Sequence, residues 1–118
     1  MEHDNIGLYL KRTREKKKLS QKLIAKRLKY KNVNFISMIE NGVSKIPANK
    51  ILNFVKAYQL EPFIGFVLIR EVYGDIWKAM LDTEKMDHQY EDLSFKKLDK
   101  LIKKLYNKEL AEYGIKTP

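Results

Sequence analysis

Apolar residues recur along most of the chain at intervals of three and four, the period of helices with one buried face, and no stretch alternates over a strand length beside convincing turn chemistry. The pattern predicts an all-α protein. A first helix over residues 5–18 has Asn5 as its cap and Ile6, Leu10 and Thr13 as its buried stripe, with Leu8 and Tyr9 partly covered. A second helix runs from Ser20, a capping hydroxyl, to about Leu28, and Leu19, Ile24, Ala25 and Leu28 share a face. The connection Lys29-Tyr30-Lys31 leads to Asn32, a second N-cap, and to a third helix in which Ile36 and Ile39 turn inward. Glu40-Asn41-Gly42 stops it, with Gly42 suited to the left-handed backbone that follows helix ends. Two short helices with a small turn, over residues 19–42, form a helix-turn-helix candidate around which the rest is arranged.

Beyond this unit, Pro47 suits the first turn of a fourth helix that ends near Tyr58 and buries Ile51, Leu52, Phe54 and Val55. After Glu61-Pro62 the apolar residues 63–69 are too dense for a one-sided surface helix, so this segment is expected to pack on two sides. It can continue through Val72, Tyr73, Ile76, Trp77, Met80 and Leu81, with Gly74 as a weak point or break. Residues 82–92 are polar and read as a linker. From Leu93 or Ser94 to about Tyr106, Leu98, Leu101, Ile102 and Leu105 make a stripe opposite Lys96, Lys97, Lys100, Lys103 and Lys104. The expected division is therefore 1–69 and a helical C-terminal extension, 70–118.

At 118 residues and 44% hydrophobic content, the chain can build one compact domain with an appendage, and two large domains are excluded. It has no cysteine, which removes disulfides, thiolate zinc sites and thiol nucleophiles together. Its longest apolar run, residues 63–69, contains a glycine and falls far short of the roughly 20 residues of a membrane span. The start, Met1-Glu2-His3-Asp4, does not resemble a signal peptide, and a cytoplasmic protein is expected. Charge changes the picture more. Residues 1–60 hold 14 Lys/Arg against 4 Asp/Glu, whereas residues 61–118 hold 10 against 11, so the net charge of +9 arises wholly in the half with the paired helices. That combination points to a polyanionic partner. The bland account is a solvated lysine-rich surface, and it suits the run Lys16-Lys17-Lys18, which sits where the helix dipole favours cations.

Catalytic chemistry finds little support. His3 and His88 are isolated, Asp75, Asp82 and Asp92 lie in helical polar positions without a paired acid and base, and Gly65 and Gly74 stand alone rather than in a phosphate loop. No catalytic residue, metal site or cofactor is expected.

Taken together, Arg14, Leu19-Ser20-Gln21, Ala25, Leu28, Ile36-Ser37, Ile39-Glu40 and Asn41-Gly42 resemble the Cro/C1-type, or XRE, family of phage-repressor-like DNA-binding proteins, over roughly residues 5–66. The resemblance implies a five-helix repressor-like bundle whose third helix lies in the major groove, where base edges present distinguishable donors, acceptors and methyls. Carried over, the outward positions are Asn32, Val33, Asn34, Ser37 and Met38. Asn34 suits adenine N6 and N7, Val33 and Met38 suit thymine methyls, and Ser37 suits either partner. The absence of arginine from this helix suggests an A·T-leaning half-site. Gln21 is implied on one phosphate, Asn41 and Lys45 on a second, with Lys31 assisting. Arg14 and Glu40 are implied as a buried ion pair between the first and third helices. Residues 28–36 are one longer than the family's usual spacing, which leaves two registers for the start of the recognition helix. Phe35 either fills the core beside Tyr30 or stands exposed against sugar, base or partner.

The expected function is a sequence-specific double-stranded-DNA-binding regulator acting as a repressor. The extension can fold back on the first bundle or pair with a second copy. Pairing is expected, as a homodimer through the C-terminal helices, because a two-fold dimer grips two half-sites. The competing readings are an antitoxin that also binds a toxin, and a helical protein-interaction adaptor docking through Val33, Phe35 and Met38.

Overall fold

The computed structural model describes residues 4–84 and 94–116, and among these every regular element is helical: α1 Asp4–Lys16, α2 Gln21–Arg27, α3 Asn34–Glu40, α4 Ile51–Ala57, α5 Ile64–Val72, α6 Gly74–Glu84 and α7 Phe95–Glu112, with a 3₁₀ turn Ala48–Lys50 leading into α4. The core combines Ile6, Tyr9 and Leu10 of α1 with Ile24, Ala25 and Leu28 around α2, Ile36 and Ile39 of α3, Phe54, Val55 and Tyr58 at α4, and Ile64, Val67 and Leu68 of α5. Tyr9, expected to be partly covered, is fully enclosed. No helix among the described residues is long and apolar enough to cross a membrane.

Helix boundaries follow local chemistry. Ser20 accepts a hydrogen bond from the Leu23 amide at 3.0 Å, and Ser94 accepts one from the Lys97 amide at 3.4 Å, so both hydroxyls satisfy orphan donors of a first turn. At α3 the cap lies one residue later than expected. Val33 occupies the N-cap position, and Asn32 instead accepts the Asn34 amide through Oδ1 at 2.9 Å. Five helices end with one residue in the left-handed region. Gly42 (φ 76°) and Gly114 (φ 68°) fill that position after α3 and α7, but Lys18 (φ 58°), Lys29 (φ 64°) and Gln59 (φ 55°) fill it after α1, α2 and α4. In each case the next amide reaches back to an orphan carbonyl, as Tyr30 N–H does to Ala25 O at 2.9 Å and Leu60 N–H does to Val55 O at 2.9 Å. These bonds, with the apolar contacts of Leu19, Tyr30 and Leu60 against the core, offset a backbone cost of about 1–2 kcal/mol at each non-glycine position.

Basic side chains close several helix ends, as the dipole favours. Arg27 donates to Ala57 O at 2.7 Å, and Lys17 donates to Tyr58 O at 3.2 Å and to Gln59 O, so two cations converge on the C-terminus of α4. Arg12 donates to Tyr113 O at 2.7 Å, at the end of α7, and the Lys16 ammonium lies 5.1 Å from the centre of the Tyr113 ring. Part of the N-terminal positive charge therefore holds the fold together rather than facing a ligand.

Further expectations are tested by the packing of α4 to α7. Leu52 is 64% exposed, because the buried face of α4 runs through Ile51, Phe54, Val55 and Tyr58 and Leu52 lies off it. On α5, Ile64, Gly65, Val67, Leu68 and Val72 are buried and the helix packs against α4, α6 and α7, as expected of a segment covered on two sides, while Phe66 stays 46% exposed. Residues 82–84 of the expected linker belong to α6, and residues 85–92 lie outside those described. Finally, α7 runs on to Glu112 and buries Ile102, Tyr106 and Leu110, leaving Leu101 52% exposed. Its apolar face lies against α5, α6 and the N-terminal helix. Tyr9 meets Tyr106 and Tyr113 edge-on at centroid distances of 5.9 and 5.6 Å, and its hydroxyl points to Glu109 Oε2 at 3.4 Å. The extension thus folds back on the first bundle, and the stripe expected to meet a second copy is, apart from Leu101, turned toward the rest of the chain. The expected break near Gly74 is present: Tyr73 ends α5 and α6 begins at Gly74, while the division at 69/70 falls inside α5.

Candidate nucleic-acid interface

The position of α3 is set from its buried side. Ile36, Ile39 and Glu40 face inward, and Gly7 of α1 lies directly against the C-terminal backbone of α3. Arg14 Nε donates to Glu40 Oε2 at 2.9 Å and Nη2 to Oε1 at 3.0 Å, a two-point pairing of fork and carboxylate. The third Arg14 nitrogen, Nη1, donates to Leu19 O at 3.0 Å. Tyr58 donates its phenol proton to Glu40 Oε2 at 2.6 Å, and the Gln21 amide Nε2 donates to Oε1 at 3.1 Å. One carboxylate thereby ties together α1, α2, α3 and the end of α4. Burial alone would raise the Glu40 pKa, but the hydrogen bonds from Arg14, Tyr58 and Gln21 and the Arg14 charge outweigh it and hold the carboxyl below its ordinary value. The Tyr58 phenol is pushed far up, first by burial and then by its bond to the carboxylate.

With that face fixed, a turn of 100° per residue brings Asn34, Ser37, Met38 and Asn41 into one outward stripe at i, i+3, i+4 and i+7. Asn34, Met38 and Asn41 are exposed and Ser37 is half-buried, with Asn41 Nδ2 3.4 Å from Ser37 Oγ. The helix begins at Asn34, which settles the register that the long turn leaves open. Lys31 and Asn32 are exposed on the approach to the helix, although Asn32 Oδ1 is engaged by the Asn34 amide. Val33 is half-buried and packs on the core, so it has less reach than the other outward positions. Phe35 also packs on the core, 5.2 Å from Tyr30 and edge-on to it, the first of its two expected placements.

Gln21 is half-buried at the start of α2. Since a carboxylate only accepts, its amide NH₂ must face Glu40; one of the two amide hydrogens serves that bond and the other stays available. Lys45 is exposed in the loop after α3, with its ammonium 4.6 Å from the centre of the Tyr73 ring. The nine expected site residues therefore fall into an α3 stripe, the loop before it, and flanking groups at Gln21 and Lys45. Three residues tied to this site carry no sequence signal of their own. Tyr58 reads only as the end of an apolar helix and Tyr73 as a core position, and Gly7 is a lone glycine within α1.

Residues 10–64 match the family model described as helix-turn-helix. No curated protein and no solved structure matches the chain. The matched residues, just under half of the chain, contain both helices of the motif, the turn between them and the Arg14–Glu40 pair, and this segment is a helix-turn-helix domain of the Cro/C1-type (XRE) family of DNA-binding transcription regulators.

Proposed function

We propose that the protein is a repressor that reads an operator in double-stranded DNA by laying α3 in the major groove. The observation that carries this reading is the outward stripe Asn34, Ser37, Met38 and Asn41 on a helix whose opposite face is anchored through Ile36, Ile39 and Glu40. Asn34 offers the paired donor and acceptor that match adenine, Ser37 bonds either partner, and Met38, 41% exposed, presents apolar surface to a thymine methyl. Val33 and Asn32 border the same edge. Gln21 through its second amide hydrogen, with Lys31, Asn41 and Lys45, contacts phosphates and sets the docking register without specifying sequence. The reading includes a homodimer, since a two-fold pair matches two half-sites.

Asn34→Ala tests the assignment. At a preferred site the substitution should weaken binding by about 1–3 kcal/mol and relax preference at one base position, measured by fluorescence anisotropy on matched and single-base-changed duplexes. An equal loss on every sequence would place Asn34 on the backbone instead.

A further inference from the structure

Tyr73 lies beyond the matched residues 10–64, yet it makes two contacts with the loop that follows the recognition helix. Its hydroxyl donates to Ile46 O at 2.7 Å, and its ring lies under the Lys45 ammonium, 4.6 Å from the centroid. The residue is itself held firmly. Tyr73 sits at the junction of α5 and α6: its amide donates to Ile69 O at 2.9 Å, and its carbonyl accepts the amides of Ile76 and Trp77 at 3.1 and 3.2 Å. Both flanking helices are pinned by one carboxylate of α7. Asp99 Oδ1 accepts from Arg70 Nε of α5 and from Trp77 Nε1 of α6, each at 2.7 Å. Burial would raise the Asp99 pKa, but those two bonds and the nearby cations outweigh it and keep the group below its ordinary value. The fold-back of α7 thus fixes the α5–α6 junction, and the junction fixes the loop.

We propose that Tyr73 is a positioning residue for DNA binding, which holds the 45–46 loop and the Lys45 ammonium where Lys45 meets a phosphate. This rests on the reading of Lys45 as a phosphate contact. The ring touches one side of the ammonium and restricts a long, freely rotating side chain, while N–H groups on the other side stay open to an anion. The hydroxyl contact restricts the backbone that carries it. The helical extension in this way adds to the site a contact from outside the matched residues.

The test is a cycle of Lys45→Ala, Tyr73→Leu and the double variant in the full chain, with Tyr73→Phe alongside. The probe is a mixed-sequence 24-base-pair duplex at low salt, because a phosphate contact needs no particular operator. Lys45→Ala should weaken binding about threefold to tenfold and lower the salt slope by about one. Tyr73→Leu should weaken it about threefold when Lys45 is present and hardly at all in the Lys45→Ala background, and Tyr73→Phe, which keeps the ring under the ammonium, should restore part of that loss. Tyr73→Leu acting equally in both backgrounds would overturn the proposal, and so would a Tyr73→Phe protein as weak as Tyr73→Leu. If Lys45→Ala binds like the wild type, Lys45 is no phosphate contact and the proposal fails, while the α3 reading stands. If the wild type does not bind the duplex, both fail. Should Tyr73→Leu lose its fold by circular dichroism, the cycle is run with Tyr73→Phe, whose loss must vanish in the Lys45→Ala background.

Discussion

Replacing Glu40 with alanine should destabilise the protein by about 3–5 kcal/mol, a large share of the roughly 5–15 kcal/mol that holds a domain of this size together. The loss arises less from one ion pair than from what is left behind. Arg14 is nearly buried and would keep its charge with only Leu19 O as a partner, the Tyr58 phenol would lose its acceptor in a closed site, and the Gln21 amide would be released. Urea unfolding followed by circular dichroism measures the change. A loss below about 1 kcal/mol would mean that water reaches and satisfies these groups. The same network sets a pH dependence. Because the folded Glu40 pKa lies below its unfolded value, the carboxylate contributes stability that is complete above the unfolded pKa of about 4.3 and is lost as pH falls through the folded value. The wild type should weaken on acidification in that range, and Glu40→Ala should show less of that weakening.

Gly7→Ala should also destabilise, by about 2 kcal/mol or more, although alanine is favoured over glycine inside a helix by about 1 kcal/mol. A Cβ on residue 7 would stand 2.5 Å from Glu40 O and 2.6 Å from Ile39 O, which are backbone atoms of α3 and cannot swing aside. Helices α1 and α3 must separate, and α3 cannot shift without disturbing the Arg14–Glu40 pairing beside the contact. The melting temperature should fall and DNA affinity should fall with it. An unchanged melting temperature would show that the two helices part freely, contrary to the close packing described.

The comparison of sequence with fold separates local from non-local information. Ser20, Gly42 and the weak point near Gly74 are legible because a hydroxyl or a glycine carries its backbone preference in its own chemistry. Lys18, Lys29 and Gln59 end helices in the left-handed region without any such preference, so neighbouring contacts decide there and residue type does not. On α7 the period of 3.6 was plain but its phase was not. Leu98 and Ile102 fit a stripe through Leu101 as well as one through Tyr106 and Leu110, and the contacts with Tyr9, α5 and α6 select the second. The same limit applies to Leu52 and Phe66, whose exposure depends on which neighbouring helices cover α4 and α5. At the site, the outward residues of α3 followed from the inward ones. The partners that Tyr58, Gln21 and Tyr73 find through space had no sequence spacing to betray them.

Selection of bound sites from a random duplex pool tests the central claim most directly. If α3 reads bases in the groove of two paired copies, the pool should converge on a palindrome with half-sites about one helical turn, roughly 34 Å, apart, and binding to the product should weaken steeply as salt is added. A pool that keeps no preferred sequence, or a complex indifferent to salt, would contradict it.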